Sequence, residues 1–148
     1  MPFVDSPSVL FVCTFNSARS PMAAGLARKL CGPAVYADSC CLESIGEVDP
    51  FAAVVMAEVG VDLSEHAPKR FDDMIARGGF THVVALSEEA WPAVASRLDA
   101  AAAMHWPIQD PTQSDGSRES RLEAYRLIRR RLEEKILEHF SQPYAALR

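Results

Sequence analysis

Five residues separate Cys13 from Arg19, and Ser20 and Pro21 follow Arg19 directly. These residue types at this spacing can carry out nucleophilic displacement on a tetrahedral oxyanion. A thiolate would be the nucleophile, favoured where backbone N–H groups and the positive end of a helix dipole converge. The guanidinium supplies a planar fork that grips two oxygens of a phosphate-like group. Ser20 can turn its hydroxyl toward the sulfur and stabilise it as a leaving group. Thr14, Phe15, Asn16, Ser17 and Ala18 form the intervening loop, short enough for its N–H groups to face one anion. Asn16 tolerates left-handed backbone and reads as a loop-builder. Phe15 is placed either to narrow the mouth or to pack in the core.

Displacement by Cys13 leaves an alkoxide or phenoxide that needs a proton, and the resulting thiophosphate needs an activated water. One carboxyl can serve both steps in turn. Asp110, in Trp106-Pro107-Ile108-Gln109-Asp110-Pro111, is the candidate, with Pro111 restricting it to extended backbone. Aspartate-proline is also a common turn dipeptide, and a cysteine closing a buried strand is commonly a small hydrophobe. Placement at strand ends sets both residues apart from those ordinary cases.

The elements that must position them follow from patterning. Residues 9–12 are an apolar run of buried-strand length leading into Cys13, and a helix over 20–30 opens at Ser20-Pro21 and stops at Gly32-Pro33. A second strand is expected at 34–37, delivering residues 38–41 to the rim of the Cys13 loop. Asp49 and Pro50 predict the N-cap and first turn of a helix that runs to about residue 59 and closes at Gly60. A short helix at 71–77, a strand at 82–86, a helix opening irregularly near Trp91 because of Pro92, and a weak strand at 103–106 follow. The last helix is expected over 117–140, with Ser120 and Glu123 as a capping box and an apolar stripe through Leu122, Tyr125, Ile128, Leu132, Ile136 and Phe140. Trp106 reads as core and Arg129-Arg130-Arg131 as a solvated helix face. Short strands alternating with helices specify an α/β fold: one domain over 1–148, a four-stranded parallel sheet with helices on both faces. Ligands of such sheets bind beyond the carboxyl ends of the strands, where the Cys13 loop and Asp110 fall.

A chain of 148 residues, 49% hydrophobic, can build one sizeable core. No apolar run approaches a membrane span, and the first residues lack the basic region and long apolar core of a signal peptide, so a cytoplasmic protein without a membrane partner is expected. A net charge of −5 argues against nucleic acid. Cys13, Cys31, Cys40 and Cys41 lack zinc-like spacing and read as thiols, with no metal and no cofactor expected.

The pattern Val12-Cys13, five residues, Arg19-Ser20-Pro21 resembles the active-site loop of the low-molecular-weight protein tyrosine phosphatase family. The wording Asn16-Ser17-Ala18-Arg19-Ser20 is similar to the arsenate reductases that share that fold. The likeness extends across nearly all of the chain. Asp38-Ser39, Val61-Asp62-Leu63 with His66, and Asp110-Pro111 all resemble family segments. The resemblance implies a sheet with the second strand beside the first and the third and fourth on its other side. It also implies Cys13 as nucleophile, Arg19 and the loop as phosphate site and Asp110 as general acid. Ser39 and His66 resemble positions that support the loop, and read equally well as ordinary polar residues near strand ends.

Two branches and one other class remain open at this point. A phosphomonoester hydrolase, acting on a phosphorylated protein or a small phosphate ester, is supported by Cys13, Arg19, Ser20 and Asp110 together. Members acting on phosphotyrosine often carry two tyrosines after the aspartate-proline, where this chain has Thr112-Gln113. An arsenate reductase is supported by the loop wording and by His105-Trp106. Thioredoxin-coupled members commonly place a resolving cysteine after the third strand, where Leu86-Ser87 stands here, so reduction would need an external thiol or Cys40 or Cys41. The pair departs from the family, and alternation along a strand would turn one cysteine toward the loop and the other away. A non-catalytic phosphate or phosphopeptide binder is the third reading; intact Cys13 and Asp110 argue against it, since binding needs neither.

Overall fold

The computed structural model describes residues 6–15, 18–43 and 47–141. The apolar run before Cys13 is β1 (Ser8–Cys13), interior to a parallel sheet ordered β2-β1-β3-β4, with β2 at Tyr36–Cys41, β3 at His82–Ala85 and β4 at Ala103–His105. A strand covered on both faces has no need of polar alternation, and β1 shows none. Val9, Phe11 and Cys13 join a core with α1 (Arg19–Cys31), α2 (Pro50–Ala57) and α5 (Arg118–Ile136). Leu10 and Val12 join a second core with α3 (Phe71–Arg77) and α4 (Ala90–Arg97). The expected strand order and helix layers are those observed. α1 packs so tightly against the segment after α2 that a Cβ on Gly25 would lie 2.8 Å from Val61 Cγ1.

β2 departs from expectation. Gly32–Ala34 is a 3-10 turn, and the strand runs from Tyr36 to Cys41 with Ser8 opposite Tyr36 and Cys13 opposite Cys41. Local propensity does not favour aspartate and serine in a strand. Pairing with β1 imposes it, and the half-buried Lys69 answers the Asp38 carboxylate at 3.1 Å. Residues 38–41 are therefore buried sheet rather than an open rim.

Helix ends follow their local chemistry. Asp49 Oδ1 accepts from the N–H groups of Phe51 (2.7 Å) and Ala52 (3.4 Å), as its place before Pro50 predicts. α4 begins at Ala90, one residue before Trp91, and Pro92 is tolerated because it falls in the first turn, where N–H groups have no helical partner. The cap of α5 is Ser117, whose Oγ accepts from Ser120 N–H at 3.1 Å; the box expected at Ser120 and Glu123 is not formed. Glu123 instead meets Arg126 and Arg130. The apolar stripe of α5 is buried as expected, and the helix widens into a π-turn over Leu137–Ser141. Arg129 is not on a solvated face: at 14% side-chain exposure it donates to Val55 O at the end of α2 and to Glu58. Hydrogen bonds from Arg126 and Arg129 hold the Glu58 carboxyl well below its usual range, at about 2. No described helix is long and apolar enough to cross a membrane.

Candidate active site

Cys13 ends β1 at 2% exposure, facing the α1 side of the sheet. Its Sγ lies 3.0 Å from Ser20 Oγ in the first turn of α1, and that hydroxyl also donates to Cys40 O at 3.2 Å. The single hydroxyl proton gives Ser20 two settings: toward the carbonyl when the sulfur carries a proton, toward the sulfur when it carries charge. Ala18, whose side chain has no polar atom, stands at the N-cap of α1, so that end is not closed by the chain's own side chain. The backbone around Cys13 is fixed from β2: Leu42 N–H reaches both Cys13 O and Thr14 O at 3.1 Å, and Glu43 N–H reaches Thr14 O at 2.9 Å.

Arg19 is 9% exposed. Its Nη1 donates to Ile108 O at 3.0 Å and its Nη2 lies 3.7 Å from Asp110 Oδ2. These two contacts tie the guanidinium to the segment after β4. Asp110 caps a 3-10 turn over Pro111–Gln113; its Oδ1 accepts from Thr112 N–H (3.0 Å) and Thr112 Oγ1–H (2.7 Å). One carboxyl oxygen is thus fixed by the chain and the other faces Arg19.

On the β3 side, Thr14 Oγ1 lies 3.1 Å from both Ser87 Oγ and Glu89 Oε1. Ser87 Oγ accepts from Ala90 N–H at 3.1 Å and so starts α4. A cavity of about 560 Å³ opens here, lined by Arg19, Glu88, Glu89, Ile108, Asp110 and Gln113 among others. A larger cavity of about 700 Å³ between α2 and the following segment carries His66 and Asp62. Arg19 and Asp110 line the smaller one.

The structure brings Cys13, Arg19, Ser20 and Asp110 together from three elements, as the sequence predicts. Phe15 is 37% exposed, which removes the core-packing alternative. Asn16 and Ser17 lie outside the described residues. Trp106 is core, tilted against Phe11 at 5.8 Å. Ser39 is buried opposite Phe11, its Oγ without a hydrogen-bond partner among the described residues. Cys40 points into the α3–α4 core, and burial drives its thiol far above the usual range; it does not face Cys13. Sequence reasoning missed Thr112 as the residue that fixes Asp110, although the Asp-x-Thr spacing is the signature of an Asx-turn. It also missed the Thr14–Ser87–Glu89 contact, which no local spacing foretells.

A parallel α/β sheet ending in a cysteine, with arginine and serine opening the next helix, defines a cysteine-based enzyme. A family model described as low molecular weight phosphotyrosine protein phosphatase matches residues 8–144, and the chain belongs to that family. An arsenate reductase of Halalkalibacterium halodurans is 30% identical over 130 residues, spanning 86% of this chain and 91% of that one. A solved structure of an arsenate reductase in the phosphate binding state is 28% identical, with a TM-score of 0.73 over 92% of this chain and 98% of its own. A low molecular weight protein tyrosine phosphatase from T. tengcongensis is 26% identical, with a TM-score of 0.73 over 88% of this chain and 95% of its own.

Proposed function

We propose that the chain hydrolyses phosphomonoesters through a cysteinyl-phosphate intermediate. The observation that carries this reading is the guanidinium of Arg19, anchored by Ile108 O, beside the free oxygen of an Asp110 whose other oxygen is fixed. Arg19 and the loop after Cys13 hold the phosphoryl oxygens. The Cys13 thiolate attacks phosphorus, an S–P bond forms as the ester P–O bond breaks, and the Asp110 carboxyl passes its proton to the leaving oxygen. The Asp110 carboxylate then takes a proton from water, the new P–O bond forms and the S–P bond breaks. Ser20 Oγ, 3.0 Å from the sulfur, donates to the released thiolate. Water and ester become phosphate and alcohol. Thr112 is committed to Asp110 and Gln113 is not aromatic, so positions 112 and 113 offer no tyrosine pair to sandwich a phenyl ring, and phosphotyrosine is one substrate among phosphomonoesters rather than the required one.

A second reading, arsenate reduction with Cys13 as the first thiol, is favoured by the arsenate reductases among the relatives. The test is turnover of a generic aryl phosphate beside arsenate-dependent consumption of an added thiol. Hydrolysis by wild type and none by Cys13→Ser is expected. Thiol consumption without phosphate release would replace the first reading by the second. Phosphate binding with neither activity would leave a binding module.

A further inference from the structure

Cys13 and Cys41 are direct partners across the β1–β2 ladder. Neighbouring strands run about 4.8 Å apart, and paired residues turn their side chains to the same face. That separation falls within the roughly 4.4–6.8 Å between Cα atoms that a disulfide spans. Cys40, one residue earlier, lies on the opposite face among Leu10, Val12 and Phe71, and Cys31 sits at the other end of α1. Of the three remaining thiols, Cys41 alone is placed to meet the Cys13 sulfur.

We propose that Cys41 is the resolving thiol of Cys13, closing a disulfide across the β1–β2 ladder when Cys13 is oxidised. The proposal rests on the reactive Cys13 of the proposed function. Cys41 Sγ now donates to Lys69 O at 3.0 Å, on the outer side of β2. Rotation about χ1 exchanges that one weak bond for the approach to Cys13, with no change in the backbone that the Leu42 and Glu43 bonds hold. Hydrogen peroxide reaching the mouth is the oxidant. The Cys13 sulfur attacks one peroxide oxygen, the O–O bond breaks, water leaves and Cys13 becomes a sulfenic acid. The Cys41 sulfur then attacks Cys13, the S–S bond forms, the S–O bond breaks and a second water leaves. The peroxide gains two electrons and the two thiols together lose two. An external dithiol reverses the bond.

Electrostatics times the second step. Burial, then the charge of Cys13, push the Cys41 thiol up to about 11, while Arg70 pulls it down. A sulfenic acid is neutral at the sulfur, so oxidation of Cys13 removes that neighbouring charge and leaves the pull of Arg70. Cys41 becomes easier to ionise when an electrophilic sulfur is beside it, and thiolate fraction sets the rate of exchange. The same rearrangement on an arsenate adduct of Cys13 would release arsenite and leave the same disulfide, so the bond serves either reading of the site.

The experiment treats the native protein with a molar excess of hydrogen peroxide, enough for both oxidation steps at Cys13, blocks free thiols and maps peptides without reductant. Wild type should lose two hydrogens, show Cys13 joined to Cys41, lose activity, and regain it with dithiothreitol to within about a factor of two. Cys40→Ala should give the same linked pair. Cys41→Ala should carry Cys13 on to the sulfinic acid, and dithiothreitol should return on the order of a tenth of its activity or less. Sulfinic Cys13 with Cys41 still free in wild type, or Cys13 joined to Cys40, overturns the proposal. So does an unmodified Cys13 in protein that still turns over aryl phosphate, an outcome that leaves the proposed function standing. Activity in Cys13→Ser would instead refute the proposed function while the peptide map still decides the disulfide. If Cys41→Ala fails to melt cooperatively, the wild-type map alone decides.

Discussion

The dipeptide aspartate-proline occurs at Asp49-Pro50 and again at Asp110-Pro111, and the two begin alike. Each aspartate caps a helical turn, taking backbone N–H donors on Oδ1. They differ at the second oxygen. Asp49 Oδ2 accepts from Tyr125 OH at 2.8 Å, and burial together with this bond holds the Tyr125 phenol far above its usual range. Asp110 Oδ2 instead lies 3.7 Å from Arg19 at the edge of an open cavity. A carboxylate with both oxygens committed to the chain serves stability. One with a single oxygen left over, beside a guanidinium, is available to a reacting group. On the proposed function, one distant partner divides the same local motif between architecture and chemistry.

The comparison breaks most sharply under Asp110→Asn. On the proposed function it should slow an alkyl phosphate on the order of a hundredfold and an ester with a good leaving group far less. Equal losses would move the proton donor elsewhere. Asp49→Ala should do the reverse. It removes a cap and strands the Tyr125 hydroxyl, costing about 1–2 kcal/mol in denaturant unfolding while kcat/KM stays within about a factor of two. A large loss of activity with unchanged stability would erase the distinction between the two aspartates. Thr112→Val sharpens it, deleting only the 2.7 Å hydroxyl bond to Asp110. A slowing of about three- to tenfold, the net worth of one ordinary hydrogen bond, is expected with the poor leaving group and little with the good one. The smallest effect is at Glu58, a carboxylate with no part in the site. Its folded-state value lies near 2 against an ordinary 4.5, so its stabilisation is present above about pH 4.5 and lost as pH falls toward 2. Melting temperatures of Glu58→Gln should lie below wild type at neutral pH and converge with it across that acid range.

What was legible in the sequence depended on how local its cause was. The strand ending at Cys13, the Asp49 cap and the α5 stripe are written in consecutive or helically spaced residues, and each is found where expected. The end of β2 is not local: Asp38-Ser39-Cys40-Cys41 has the composition of a turn and becomes strand because β1 and the half-buried Lys69 receive it. Arg129 has the same lesson. Beside Arg130 and Arg131 it resembles surface charge, yet the carbonyl end of α2 needs donors and draws it in. Asp110 was legible as a residue beyond a strand end but not as a cap, because Thr112 holds its Oδ1 in a short Asx-turn. Ser87, which meets Thr14, became meaningful only once β3 was set beside β1.

The amides of Leu42 and Glu43, which bind the carbonyls of Cys13 and Thr14, carry the β1–β2 ladder past the sulfur on both strands. A nucleophile at the frayed tip of a strand could be displaced by local opening while the rest of the sheet survived. Here the residue that would do the chemistry belongs to the last structure to open, since central strands exchange their amides only near the global unfolding free energy. Heat inactivation of this protein should therefore have no early phase: the temperature at which turnover fails and the temperature at which the sheet melts are the same event.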